Sequence, residues 1–203
     1  MTKIKLCGLS RTCDIEAANE LKPEYIGFVF AKKSRRYISP EKTAELRRVL
    51  SSDIRAVGVF VNERPENIAE LLNSGIIDMA QLHGNEDDEF IERLRTLTDK
   101  PVIKAFRIDS EKDVADAMSS SADYVLLDSG SGGTGTSFDW ELIRNIQRPY
   151  FLAGGLDIHN VESAVKDLMP YGVDVSSGIE TDGYKDRNKM AAFVGAVRKE
   201  DRK

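Results

Sequence analysis

The chain has 203 residues, 41% apolar and 31% charged, with a net charge of −5. That length suits one substantial core and is short for two full domains, so a single domain over 1–203 is expected. No basic tract interrupts the acidic balance. This argues against nucleic acid and against a membrane surface as partners, and leaves small anions, which local arginines and helix N-termini can hold.

The opening MTKIKLCGLS has no long apolar core and no small-residue cleavage pattern, and it reads as a mature start. Its IKLCG (4–8) is the first predicted strand, followed by a helical pattern over 13–21. Cys7 and Cys13 are the only cysteines, too few for a disulfide framework or a zinc site. Two free thiols in a reducing, cytoplasmic setting are expected, with Cys13 packed inside its helix.

YIGFVF (25–30) is the second strand, and Ser39-Pro40-Glu41 starts a helix with a cap, a first-turn proline and an acid. RAVGVF (55–60) follows. In PENIAELLNSG, Ile68, Leu71 and Leu72 share a face and Gly75 stops the helix. Then come DMAQLH (78–83), a helix over 86–97, PVIKAF (101–106), a helix over 111–120 and YVLLDS (124–129). The cluster SGSGGTGTS (129–137) is a loop ahead of a helix over 139–146. PYFLAG (149–154), a helix over 159–168 and VDVSSG (173–178) complete the strands, and Met190, Phe193, Val194 and Val197 mark the last helix. No segment is long and apolar enough to span a membrane.

Strand followed by helix, eight times, is the arithmetic of an α/β (β/α)8 barrel, the TIM barrel. An open doubly wound sheet shows the same alternation, but no GxGxxG follows the first strand. In a barrel the chemistry lies at the C-terminal strand ends. Cys7 ends strand 1, Phe30 ends strand 2, His83 ends strand 4 and Asp128 ends strand 6.

Each of these residues has two readings. Cys7 is a small buried hydrophobe, or a nucleophile or base given room by Gly8. Asp128 caps a loop, or serves as a general acid or base with a raised pKa. Arg36 is a solvated charge, or a bidentate clamp for a carboxylate, and its neighbour Arg35 shares the ambiguity. His83 hydrogen-bonds locally, or titrates near neutrality. Gly154-Gly155 and Ser177-Gly178 are tight turns, or a phosphate cradle after strands 7 and 8.

Over nearly its whole length the sequence resembles the phosphoribosylanthranilate isomerases of tryptophan biosynthesis. The matching pieces are KLCGLS (5–10), GFVFAKKSRRYISP (27–40), VGVFVN (57–62), QLHG (81–84), KAFR (104–107), LLDS (126–129), GGTGTSFDW (132–140), LAGGL (152–156), DVSSGIE (174–180) and GYKD (183–186). The family more often carries isoleucine and threonine where this chain has Leu6, Leu9 and Ser10.

The resemblance implies a metal-free, cofactor-free isomerase acting by general acid and base. Its reaction is the Amadori rearrangement of N-(5-phosphoribosyl)anthranilate to 1-(o-carboxyphenylamino)-1-deoxyribulose 5-phosphate. It implies Cys7 as base, Asp128 as acid, Arg36 on the anthranilate carboxylate and the two glycine turns on the phosphate. His83, Gln81 and Arg107 would shape the mouth, and GGTG (132–135) is a lid candidate. The expected partner is a small phosphorylated substrate, with the chain a monomer or homodimer. The related sugar-phosphate isomerase of histidine biosynthesis carries an aspartate as base where this chain has Cys7. A non-catalytic phosphate binder would not need both Cys7 and Asp128.

Overall fold

The computed structural model describes residues 1–128, 140–144 and 146–202. Eight parallel strands close into a barrel in the order β1 to β8. They are β1 Lys3–Cys7, β2 Tyr25–Val29, β3 Arg55–Phe60, β4 Met79–Leu82, β5 Val102–Arg107, β6 Tyr124–Asp128, β7 Tyr150–Ala153 and β8 Gly172–Val175. The expected strands are therefore present, with ends that differ by at most three residues. Closure is made by β1 against β8, with Lys5 opposite Asp174 and Leu6 opposite Val175. The (β/α)8 expectation holds and the open sheet is excluded.

The helices are α1 Thr12–Leu21, α2 Pro40–Arg47, α3 Pro65–Asn73, α4 Asp88–Arg95, α5 Glu111–Ser119, α6 Val161–Leu168 and α7 Arg187–Glu200. Their starts follow from local chemistry. Ser39 Oγ accepts from Lys42 N ahead of Pro40, Asp87 caps α4 through Phe90 N, and Asp186 caps α7 through Asn188 N and Lys189 N. Gly75, at φ +73°, follows the end of α3 as the sequence predicts.

The expected helix over 139–146 appears, within the described residues, as a single 3-10 turn, Trp140–Ile143. Pro149 limits any extension by holding its predecessor out of the helical region. The predicted loop 129–137, the lid candidate included, lies outside the described residues. Cys13 corrects its expectation: it is exposed on α1, not packed. No described helix is long and apolar enough to cross a membrane.

Alternation along the strands sorts side chains into two sets. Outward residues such as Ile4, Leu6, Ile26 and Phe28 pack under the helices together with Phe193 and Val197 of α7. Inward residues Tyr25, Val57, Met79, Ile103, Leu126 and Phe151 fill the barrel, with Tyr25 and Phe151 in an edge-on contact. Above this plug a thin apolar layer of Cys7, Val29 and Val59 underlies the mouth. Each large side chain so buried contributes about 1.5–3 kcal/mol. The plug leaves the upper barrel as the place where polar side chains can converge.

Candidate active site

A cavity of about 320 Å³ opens at the C-terminal mouth of the barrel. Cys7, Arg36, His83, Asp128, Gly154, Gly155 and Ser177 all line it, so seven of the eight sequence-predicted site residues meet there. A larger groove of about 570 Å³ runs outside the barrel beside α2 and α3. None of the candidate site residues lines it, so it is not where the chemistry converges.

The cysteine–glycine pair at the end of β1 has a steric explanation. Gly8 sits at φ +82°, and a Cβ there would come within 2.6 Å of Arg36 Cδ. Glycine thus lets the chain turn and lets Arg36 cross it. Gly27, opposite Cys7 in β2, plays the matching part for sulfur, since a Cβ there would lie 2.7 Å from Cys7 Sγ.

Arg36 is held by Glu180 in a two-point contact, Nε to Oε1 at 2.6 Å and Nη2 to Oε2 at 3.0 Å. Arg35 Nη2 reaches the same carboxylate at 2.7 Å, and so does Lys185 Nζ at 2.7 Å. Glu180 and Lys185 face each other across a two-stranded hairpin, β9 Glu180–Thr181 and β10 Tyr184–Lys185. Its turn, Asp182-Gly183, has positive φ at both residues, the tight hairpin geometry that Asp-Gly favours. Three cations around one carboxylate leave this side of the mouth positive. Burial acts to raise the Glu180 pKa, but the hydrogen bonds from Arg36 and Lys185 outweigh it and hold the group below its usual range. Burial lowers Lys185.

Below the mouth, Lys5 is fully buried and donates to Asp174 Oδ1 at 2.9 Å. Burial pushes the Cys7 thiol up. Lys5 and Lys185 pull it down, Asp174 adds to the rise, and the net displacement is upward. Lys185 Nζ also donates to Ser176 O at 2.9 Å, and Ser176 Oγ donates to Cys7 O at 3.1 Å, tying β10, β8 and β1 together.

Across the mouth, Gln81 Nε2 lies 2.9 Å from His83 Nδ1. Donation by that amide leaves the ring hydrogen on Nε2, which stands 3.5 Å from Asp128 Oδ2, beyond direct hydrogen-bond length. His83 and Phe30 each lie one residue past their strands. Arg107 is the exposed last residue of β5, paired with Asp109 at 2.7 Å, and is not among the described residues lining the cavity.

Gly154 and Gly155 turn at φ +88° and +65°. Gly178 is the candidate that does not line the cavity. It sits in a 3-10 turn, Ser177–Ile179, where an added Cβ would lie 2.1 Å from Leu156 O. Its glycine lets the loops after β7 and β8 lie in contact.

The sequence reading missed Lys5, Asp174, Glu180 and Lys185 as parts of the site. Strand alternation carried the signal for the first two, since Lys5 shares a face with Cys7, and Asp174 with Ser176. The Asp-Gly hairpin turn carried it for the other two.

A thiol, a carboxyl and cationic groups around one cavity at the C-terminal strand ends form the kind of site that a (β/α)8 barrel enzyme carries. The comparisons narrow this to one family. The model for N-(5'-phosphoribosyl)anthranilate (PRA) isomerase matches residues 4–196, and the chain belongs to that family. It is 45% identical over 202 residues to the N-(5'-phosphoribosyl)anthranilate isomerase of Endomicrobium trichonymphae, covering 98% of this chain and 99% of that one. The Thermotoga maritima phosphoribosyl anthranilate isomerase structure superposes with a TM-score of 0.89 at 36% identity, covering 98% of this chain and all of that one (100%). A further family structure, in complex with reduced 1-(o-carboxyphenylamino)-1-deoxyribulose 5-phosphate, superposes at 0.86 with 35% identity, covering 98% and 100%. The chain is an intramolecular isomerase of tryptophan biosynthesis, converting phosphoribosylanthranilate to the aminodeoxyribulose phosphate by an Amadori rearrangement.

Proposed function

We propose that Cys7 and Asp128 are the base and the acid of this rearrangement. The observation that carries the reading is that both line one cavity, from opposite parts of the ring, with the arginine and the glycine turns between them. Asp128 protonates the ribose ring oxygen as the ring opens. The nitrogen lone pair forms the protonated imine, which acidifies the proton on the adjacent carbon. Cys7, as thiolate, removes that proton. The resulting enolamine tautomerises to the ketone. Base and acid act on different atoms of one sugar, which requires them to stand apart.

Arg36 holds the anthranilate carboxylate. Glu180 occupies its Nε and Nη2, and Nη1 makes no hydrogen bond to the described residues, so a donor remains for the substrate. The backbone at Gly154, Gly155, Ser177 and Gly178 holds the phosphate, with Gly178 contributing through its peptide and its close packing. His83 faces the substrate beside Asp128, with its ring set by Gln81. All these groups come from one chain, which supports a site complete in a single copy, whether the protein is a monomer or a homodimer. The reading calls on no metal or cofactor.

The test is turnover of phosphoribosylanthranilate generated in place from anthranilate and phosphoribosyl pyrophosphate, followed by decay of substrate fluorescence. Cys7→Ala and Asp128→Asn should each lose about 10²–10⁴-fold in kcat with little change in KM. Wild-type rates in either variant would remove that residue from its role.

A further inference from the structure

We propose that Lys5 is a positioning residue for this reaction: its buried ammonium, anchored by Asp174, holds and stabilises the thiolate form of Cys7. The inference rests on Cys7 as the base, and its geometry is independent of the substrate.

Lysine inside a barrel strand calls for an explanation. Removing an ammonium from water is costly, and a packed apolar side chain often serves a buried site as well or better. Lys5 is nevertheless 0% exposed. Its register partner across the closing seam is Asp174, and Nζ lies 2.9 Å from Oδ1. An ammonium has three hydrogens to donate. Asp174 takes one, and no other oxygen among the described residues accepts from it. Cys7 follows two residues later on the same strand and so faces the same barrel interior as Lys5, and both are buried there. Sulfur is the acceptor left for a second hydrogen, and a thiolate is a far better acceptor than a thiol.

The surrounding charges fit this assignment. Cys7 is faced by Lys5 from β1, Asp174 from β8, Lys185 from β10 with its partner Glu180 from β9, and Arg36, whose side chain crosses Gly8. Val29 and Val59 supply only apolar contact. Burial alone disfavours the thiolate, and Lys5 opposes that effect more strongly than Lys185 does. Burial also works against the Lys5 ammonium, yet Asp174 and Cys7 outweigh it and hold the group above its ordinary value. Asp174 therefore has two effects. It keeps Lys5 in place, and its own negative charge opposes the thiolate.

Those two effects have opposite signs, which gives a test that packing cannot imitate. In a Cys13→Ser background, only Cys7 reacts with iodoacetamide, and the pH dependence of alkylation reports its thiolate. Lys5→Met should move the alkylation midpoint to higher pH. Each unit of that movement costs about tenfold in thiolate fraction at neutral pH, and kcat should fall in proportion and recover as pH rises. Asp174→Asn, which keeps the lysine and removes the negative charge, should move the midpoint to lower pH. Opposite displacements establish the assignment. A Lys5→Met midpoint that stays or falls overturns it and returns Lys5 to a structural ion pair. If Lys5→Met does not fold, Lys5→Gln, which removes the charge and keeps a donor for Asp174, takes its place, and a midpoint that stays or falls overturns the proposal. Cys7→Ala at full turnover would defeat the base assignment without altering these midpoints, so the two failures are distinguishable.

Discussion

Arg36 and Glu180 meet through paired hydrogen bonds of 2.6 Å and 3.0 Å, so the arginine that faces the cavity is fixed from behind by a buried carboxylate. A flexible side chain is thereby ordered before substrate arrives. Its ordering entropy belongs to folding rather than to binding. Glu180→Gln retains the shape and one acceptor but loses the charge. KM should rise about tenfold or more, the worth of a charge-assisted hydrogen bond. Steady-state kinetics checks this, and an unchanged KM would show that Arg36 keeps its place without Glu180.

The same carboxylate makes stability depend on pH. Burial acts to raise Glu180, yet Arg36 and Lys185 hold it below its usual value. A depressed carboxyl contributes stability above its unfolded pKa, about 4.3, and loses it as pH falls through the lower folded value. The difference in Tm between the native chain and Glu180→Gln should therefore be widest near neutrality and narrow below about pH 4. Thermal melts from pH 3 to 7 measure it. A constant difference would assign the effect of Glu180 to packing alone.

Gly8 should tolerate no side chain. Its φ of +82° already strains any other residue, and a Cβ would press on Arg36 Cδ at 2.6 Å. Gly8→Ala should cost about 1–2 kcal/mol in backbone strain. Because the arginine must move, KM should rise as well. Denaturant unfolding and kinetics read the two effects separately, and a stability loss with KM intact would free Arg36 from its dependence on this glycine.

The barrel was legible because eight apolar runs alternate with amphipathic ones, and that rhythm survives errors of a few residues at each end. Cys7 and Asp128 were legible because strand ends in a barrel share one mouth. The ion pairs were not. Lys5 and Asp174 are 169 residues apart and become neighbours only when β1 meets β8 at the closing seam. Glu180 reaches Arg36 across 144 residues of chain. Periodicity tells which face a residue takes, not which residue will stand opposite. Arg107 could not be read further than the rim, because its partner Asp109 lies in the loop beyond β5, where strand periodicity no longer applies.

The two glycine turns should respond differently to the same substitution. At Gly155 an added Cβ meets nothing within 4 Å, so Gly155→Ala carries only the strain of its φ of +65°, about 1–2 kcal/mol. At Gly178 a Cβ would stand 2.1 Å from the Leu156 carbonyl oxygen and 3.0 Å from Asp157 Cα, both backbone atoms with little freedom to yield. The loops after β7 and β8 would have to separate. Overpacking of that kind costs about 1–3 kcal/mol, and it also opens the gap in which the phosphate is expected to sit. Gly178→Ala should therefore weaken inorganic phosphate as a competitive inhibitor and raise KM, whereas Gly155→Ala should lower Tm with a smaller effect on either constant. Inhibition by phosphate in the two variants decides between them. Equal loss in both would mean that open space at Gly155 is itself part of the cradle, and that the phosphate approaches its backbone as closely as it does the Gly178 peptide.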